Sequence, residues 1–259
     1  MKKIFRRASW LAMALTFSCA IVSCNSKGKI SDHPQESSVQ DSVVIESRMA
    51  IYEAMEKWGN CRTIALTENH GNLALKGNNT YVQSECPDEL IKSLENLKAE
   101  NSDVLIKDVV ITEKGNWLIL SEKNTITSKG TPADLDKKLL YHQQNGDEIF
   151  SVSFNDLGDW VISADHSFSC SDDEMLEEIK KDTQEYGRLW TTTYTDEGMI
   201  ATYENGCSIY GDVPEDLEKT LEEVDLDTYI VKMNVDSSWF IADKEGIYNC
   251  DIATHYYNQ

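Results

Sequence analysis

The side chains able to do covalent chemistry are few and scattered. The body of the chain carries five cysteines, Cys61, Cys86, Cys170, Cys207 and Cys250, with His70, His142, His166 and His255. A thiol mechanism needs the sulfur, a base and an orienting group within hydrogen-bond reach. The nearest approach in sequence is His166-Ser-Phe-Ser-Cys170. There is no CxxC, no Cys/His cluster at zinc-finger spacing, no GxSxG, no P-loop and no dinucleotide-binding glycine fingerprint. The acid pairs Asp172-Asp173 and Asp225/Asp227 fall at a helix start and in a connection, where capping accounts for them. The oxygen-rich loop of a calcium-binding hand is absent. The chain therefore reads as non-enzymatic, with no cofactor and no metal. The alternative is a hydrolase or transferase that uses a thiol or a carboxylate.

The elements that would position these groups begin after a distinct leader. Lys2, Lys3, Arg6 and Arg7 precede an apolar run from Ala8 to Val22, too short to span a bilayer and fitting a secretory signal. The run ends Ile21-Val22-Ser23-Cys24. An aliphatic residue at −3 and a small one at −1 before cysteine resemble the lipobox of bacterial lipoproteins. That resemblance implies cleavage before Cys24, acylation of its sulfur and amino group, and attachment to the membrane. Asn25, where an Asp would favour inner-membrane retention, points to the outer membrane. Residues 1–23 are thus a signal peptide, 24–45 a lipidated cysteine and polar tether, and 46–259 a single domain. The processed chain would hold twenty basic against forty-five acidic residues, a net −25. Such a chain repels nucleic acid and anionic headgroups. An envelope location permits disulfides among the five remaining cysteines, although an odd number leaves one unpaired.

Within the domain one pattern recurs five times. Gly71, Gly115, Gly158, Gly198 and Ser237 mark hairpin turns, each followed two residues later by a large apolar side chain: Leu73, Trp117, Trp160, Ile200 and Trp239. Alternating apolar strands flank each turn, a short third strand follows, and a helix comes next. Pro87, Pro132 and Pro214 open three of these helices, where a missing N–H costs nothing. Ser171, with acids behind it, is the expected cap of a fourth. The last unit lacks a helix, but Ser47–Trp58 places Ile51, Tyr52, Met55 and Trp58 at helical spacing ahead of the first unit. The three tryptophans at one repeat position read as core between sheet and helix, in preference to a stacking ladder for sugars.

The expectation is an α/β repeat protein of five βββα units of about 40 residues. The leading helix supplies the one the last unit lacks, so the units balance as a closed pseudo-fivefold ring. Open solenoid and β-propeller with outer helices are the alternatives. Five such units resemble the α/β propeller of the pentein superfamily, whose ββαβ repeat is a cyclic permutation of this one and which includes the non-enzymatic translation initiation factor six. The guanidino-modifying enzymes of that superfamily imply a Cys nucleophile, a His and acids near the axis. The Gly- and Asn-rich contexts of those motifs are missing around Cys207, Cys250 and the histidines. The resulting expectation is a membrane-anchored scaffold that binds an envelope protein or glycan, with no nucleic-acid partner.

Overall fold

The computed structural model describes residues 3–7, 36–224 and 227–252. Cys24, the apolar run of the leader, Asp225, His255 and Tyr256-Tyr257 lie outside them. A short strand β1 (Lys3–Arg7) and a long helix α1 (Glu36–Trp58) come first. Unit one follows with β2 (Thr63–Ala65), β3 (Asn72–Lys76), β4 (Thr80–Ser84) and α2 (Asp88–Glu100). Unit two has β5 (Ile106–Ile111), β6 (Trp117–Ser121), β7 (Ile126–Lys129) and α3 (Ala133–Asn145). Unit three has β8 (Ile149–Phe154), β9 (Trp160–Ala164), β10 (Phe168–Cys170) and α4 (Asp173–Tyr186). Unit four has β11 (Leu189–Tyr194), β12 (Gly198–Tyr203), β13 (Gly206–Gly211) and α5 (Glu215–Glu223). Unit five ends the described chain with β14 (Ile230–Met233), β15 (Trp239–Ala242) and β16 (Tyr248–Asp251). Each unit's three strands form an antiparallel meander, so the repeat of five strand trios alternating with helices is as the sequence implies.

Local chemistry explains most boundaries. Gly71, Gly115, Gly158 and Ser237 take positive φ in their hairpins, the region glycine enters without penalty. Gly198 corrects this pattern: its φ is ordinary, and it is glycine because a Cβ would meet the Asp212 carbonyl oxygen at 2.2 Å. Pro87, Pro132 and Pro214 sit one residue before α2, α3 and α5. The α4 cap is Asp172, which accepts from Met175 N at 2.6 Å. Ser171 instead accepts from Trp160 N. Helix α1 begins at Glu36, so the expected tether overlaps its first turns. No Gly or Pro interrupts Glu36–Trp58, and nothing there stops a helix. Strand β1, which the sequence reading did not anticipate, pairs parallel with β13 over five residues.

Packing joins each unit to the next. Leu90 and Leu94 of α2 bury against Leu73 and Leu75 of unit one and Val109 and Trp117 of unit two. Helices α3, α4 and α5 fill the corresponding places between later units. Trp117, Trp160 and Trp239 lie in three separate clusters of this kind, at 3–5% exposure. They are core, as their repeat position implies. Ile51 and Met55 of α1 contact unit one through Ile64 and Ala74, and unit five through Ile230, Phe240 and Ile252. The first strands touch in sequence, β2 with β5, β5 with β8, β8 with β11 and β11 with β14, and β14 also touches β2.

Candidate functional site

The ends where the five first strands begin carry the densest unusual chemistry. In units two, three and four the strand pairing slips by one residue at Lys107, Phe150 and Trp190. A bulge of this kind turns its extra side chain out of the ladder. Arg62 and Tyr229 hold the matching places in units one and five, just ahead of β2 and β14. All five side chains are half-buried. Phe150 and Trp190 stand 5.5 Å apart, and Trp190 and Tyr229 5.8 Å apart. The Lys244 ammonium lies 4.0 Å from the centre of the Trp190 ring, and the Arg188 guanidinium 5.4 Å from it. Both contacts fit the attraction of a cation to an aromatic face. Among the described residues neither Arg188 nor Lys244 has a carboxylate partner. Both are exposed.

The other two cations of this end are committed to structure. Lys107 reaches Glu148 at 3.0 Å and the Ile149 carbonyl at 2.8 Å. Arg62 donates to the carbonyls of Gly77, Lys107 and Ile106. Burial lowers the pKa of its guanidinium while nearby Asp108 opposes the shift.

Deeper along the first strands the side chains are polar and paired. Lys232 Nζ donates to Asp108 Oδ2 at 2.7 Å, and Thr63 Oγ1 donates to Asp108 Oδ1 at 3.1 Å. This buried trio ties units five, two and one together. Ser153 and Thr192 share a hydrogen bond of 2.5 Å between units three and four. At the far ends of the strands the turns of units one and two donate to an acid of the following unit. Glu68 N donates to Glu113, and Lys114 N and Thr112 Oγ1 donate to Asp156. Burial and the neighbouring Asp156 charge raise the Asp196 carboxyl pKa. These acids are used as clamps. Among the described residues no His, Cys, Asp and Glu group is arranged to hold a metal ion.

The thiols are not arranged for catalysis. Cys61, Cys86, Cys170 and Cys250 are free thiols. Burial pushes the Cys61, Cys86 and Cys250 thiols up to about 12 and Cys170 to about 11. His166 is exposed beside Asp165, while Cys170 packs on an apolar cluster. We expect a thiol-selective alkylating agent to label Cys61, Cys86, Cys170 and Cys250 slowly in the folded chain and fast in the unfolded chain. One rapidly labelled cysteine, located by peptide mapping, would contradict this reading.

One relay-like array escaped the sequence reading. Ser169 Oγ lies 3.0 Å from His142 Nε2, and His142 Nδ1 lies 2.8 Å from Asp147 Oδ2. The His142 hydrogen bond holds the Asp147 carboxyl pKa below its ordinary value. Nucleophile, base and orienting acid are in order, but His142 is 1% exposed and Ser169 7%. The array closes the space between the end of α3 and β10 and offers a substrate no access. Ser167 Oγ also binds Asp147, as expected of a clamp.

No protein-family model matches the chain. No curated protein matches it. Among solved structures, the C-terminal domain of gp131 from bacteriophage phiKZ is similar at 11% identity and a TM-score of 0.33. The match covers 61% of this chain and 54% of that one, about half its length. A likeness this weak carries no argument.

Proposed function

We propose that the chain is a lipid-anchored, non-catalytic envelope lipoprotein, processed before Cys24 and held on the outer membrane. Its five units close into a pseudo-fivefold α/β propeller that binds an acidic glycan where the first strands begin. Closure is supported by α1, whose apolar face joins unit five to unit one, and by the Lys232–Asp108 pair, which reaches across unit one. An open stack would keep units two and five apart.

The ligand reading rests on one observation. On a chain with an excess of twenty-one acidic charges, Arg188 and Lys244 stand exposed, without a carboxylate partner among the described residues, over a half-buried Phe150–Trp190–Tyr229 row. Aromatic faces stack on sugar rings, and the cations supply charge-assisted bonds to sugar carboxylates. The raised thiol pKa values favour this reading over a thiol enzyme. Titrating the processed protein with polygalacturonate, followed by tryptophan fluorescence and calorimetry, tests it. Trp190→Ala and Arg188→Ala should each weaken binding by about tenfold or more, the loss of one good contact. Absence of polygalacturonate binding, or equal affinity for a neutral galactan, would remove the acidic-glycan reading. Palmitate incorporation that survives Cys24→Ala would remove the lipid anchor.

A further inference from the structure

The outer strand of unit four differs from its counterparts. Strand β13 has six residues, against five in β4, four in β7 and β16, and three in β10. Its sequence, Gly-Cys-Ser-Ile-Tyr-Gly, carries no charge. Strands β7 and β16 instead carry Lys129 and Asp251. A charge on an outer strand is the usual guard against unwanted pairing, and a long uncharged edge lacks it. All six β13 residues are buried, whereas β4, β7 and β16 are half-buried or exposed throughout.

What covers this edge is β1. Its five residues pair in unbroken parallel register, Lys3 with Gly206 through to Arg7 with Tyr210. The seated sequence Lys-Ile-Phe-Arg-Arg combines three basic with two apolar residues. It lies against α5, which carries Glu215, Asp216, Glu218, Glu222 and Glu223 with Lys219 as its single cation. A basic strand beside an acidic helix is charge-complementary. Length, absence of charge, a seated strand and an acidic flank coincide only in unit four among the described residues.

We propose that the β13 edge is a strand-acceptor site for an extended basic and apolar segment, supplied in the processed lipoprotein by a partner protein. This rests on the processing before Cys24 proposed above, which removes Lys3–Arg7 and leaves the edge bare. Main-chain hydrogen bonds to β13 hold such a segment, and the acids of α5 favour one of positive charge. The chain's own leader occupies the place that the partner takes after cleavage.

The test uses the full chain, produced in a bacterium that processes lipoproteins, with its N-terminus established by intact mass. The probe is a fluorescent peptide with the sequence of residues 2–8, followed by anisotropy. Saturable binding is expected, weakening steeply with salt. N-methylation of alternate peptide amides should abolish it, since the change removes strand donors and leaves charge intact. Joint Glu215→Gln, Glu218→Gln and Glu222→Gln substitution should weaken it about tenfold, with folding verified by circular dichroism. No saturable binding to a chain of verified processed mass overturns the acceptor site and leaves the lipoprotein reading standing. Binding indifferent to N-methylation also overturns it, because charge alone would then explain attachment. A mass that retains residues 1–23 removes the processing reading. The acceptor proposal falls with it, since β1 would cover the edge permanently.

Discussion

Lys232→Ala should lower the stability of the folded chain by about 3–5 kcal/mol, the cost of leaving a buried charge without its partner. Asp108 is 3% exposed and Lys232 9%. Removing the ammonium leaves the carboxylate with two neutral donors, Thr63 Oγ1 at 3.1 Å and Val109 N at 2.9 Å. Neither supplies the missing positive charge. The loss should appear as a lower urea midpoint with an unchanged slope. Lys232→Met combined with Asp108→Leu should recover most of it, because a packed apolar pair is often as stable as a buried ion pair. A loss below about 1 kcal/mol, the range of an exposed pair, would mean that the pair is not buried as described. The partners stand 124 residues apart in sequence. A large effect would therefore also show that units two and five meet.

The repeat was legible because its structural requirements recur as residue types. A hairpin needs a residue tolerant of positive φ, a sheet–helix interface needs bulk two residues later, and three helices begin behind proline. Gly115, Trp117 and Pro132 meet these demands in one unit, and most of their counterparts meet them elsewhere, with Gly198 and Asp172 the exceptions. The candidate site was not legible for the opposite reason. Arg62, Lys107, Phe150, Trp190 and Tyr229 share a place in the fold but no residue type, so no repeat signal marks them. A faint signal exists in Leu189-Trp190-Thr191, where strand alternation calls for a polar side chain and an aromatic stands instead. The bulge that turns Trp190 outward follows from strand register, which one sequence does not reveal. Asp108 and Lys232 were hidden similarly: Asp108 follows Lys107 in an otherwise apolar strand, Lys232 is the one charge of its strand, and only assembly of the units makes them partners. His142 gave no sign of Ser169, because a helix end and an outer strand come together only in three dimensions.

Helix α1 provides the sharpest test of how the units are joined. Met55→Ala should cost about 2–5 kcal/mol, the range for truncating a buried side chain to alanine in a core that cannot fully collapse. Ile51→Ala should cost a similar amount. Both side chains are 0% exposed. More telling is where the loss falls. The cluster around them draws Ile64, Leu66 and Ala74 from unit one and Ile230, Phe240, Ala242 and Ile252 from unit five. Arg48 of α1 extends the same contact, pairing with Asp236 in the unit-five hairpin at 2.9 Å and donating to the Thr67 carbonyl of unit one at 3.4 Å. Amide hydrogen exchange should therefore lose protection in β15 as well as β3 when either side chain is truncated, and Asp236→Ala should reproduce the pattern. Exchange that accelerates in unit one while β15 keeps its protection would assign α1 to the first unit alone. The chain would then be a stack with two free ends. Joint loss in both units is the behaviour of a ring whose last interface is built from its first helix.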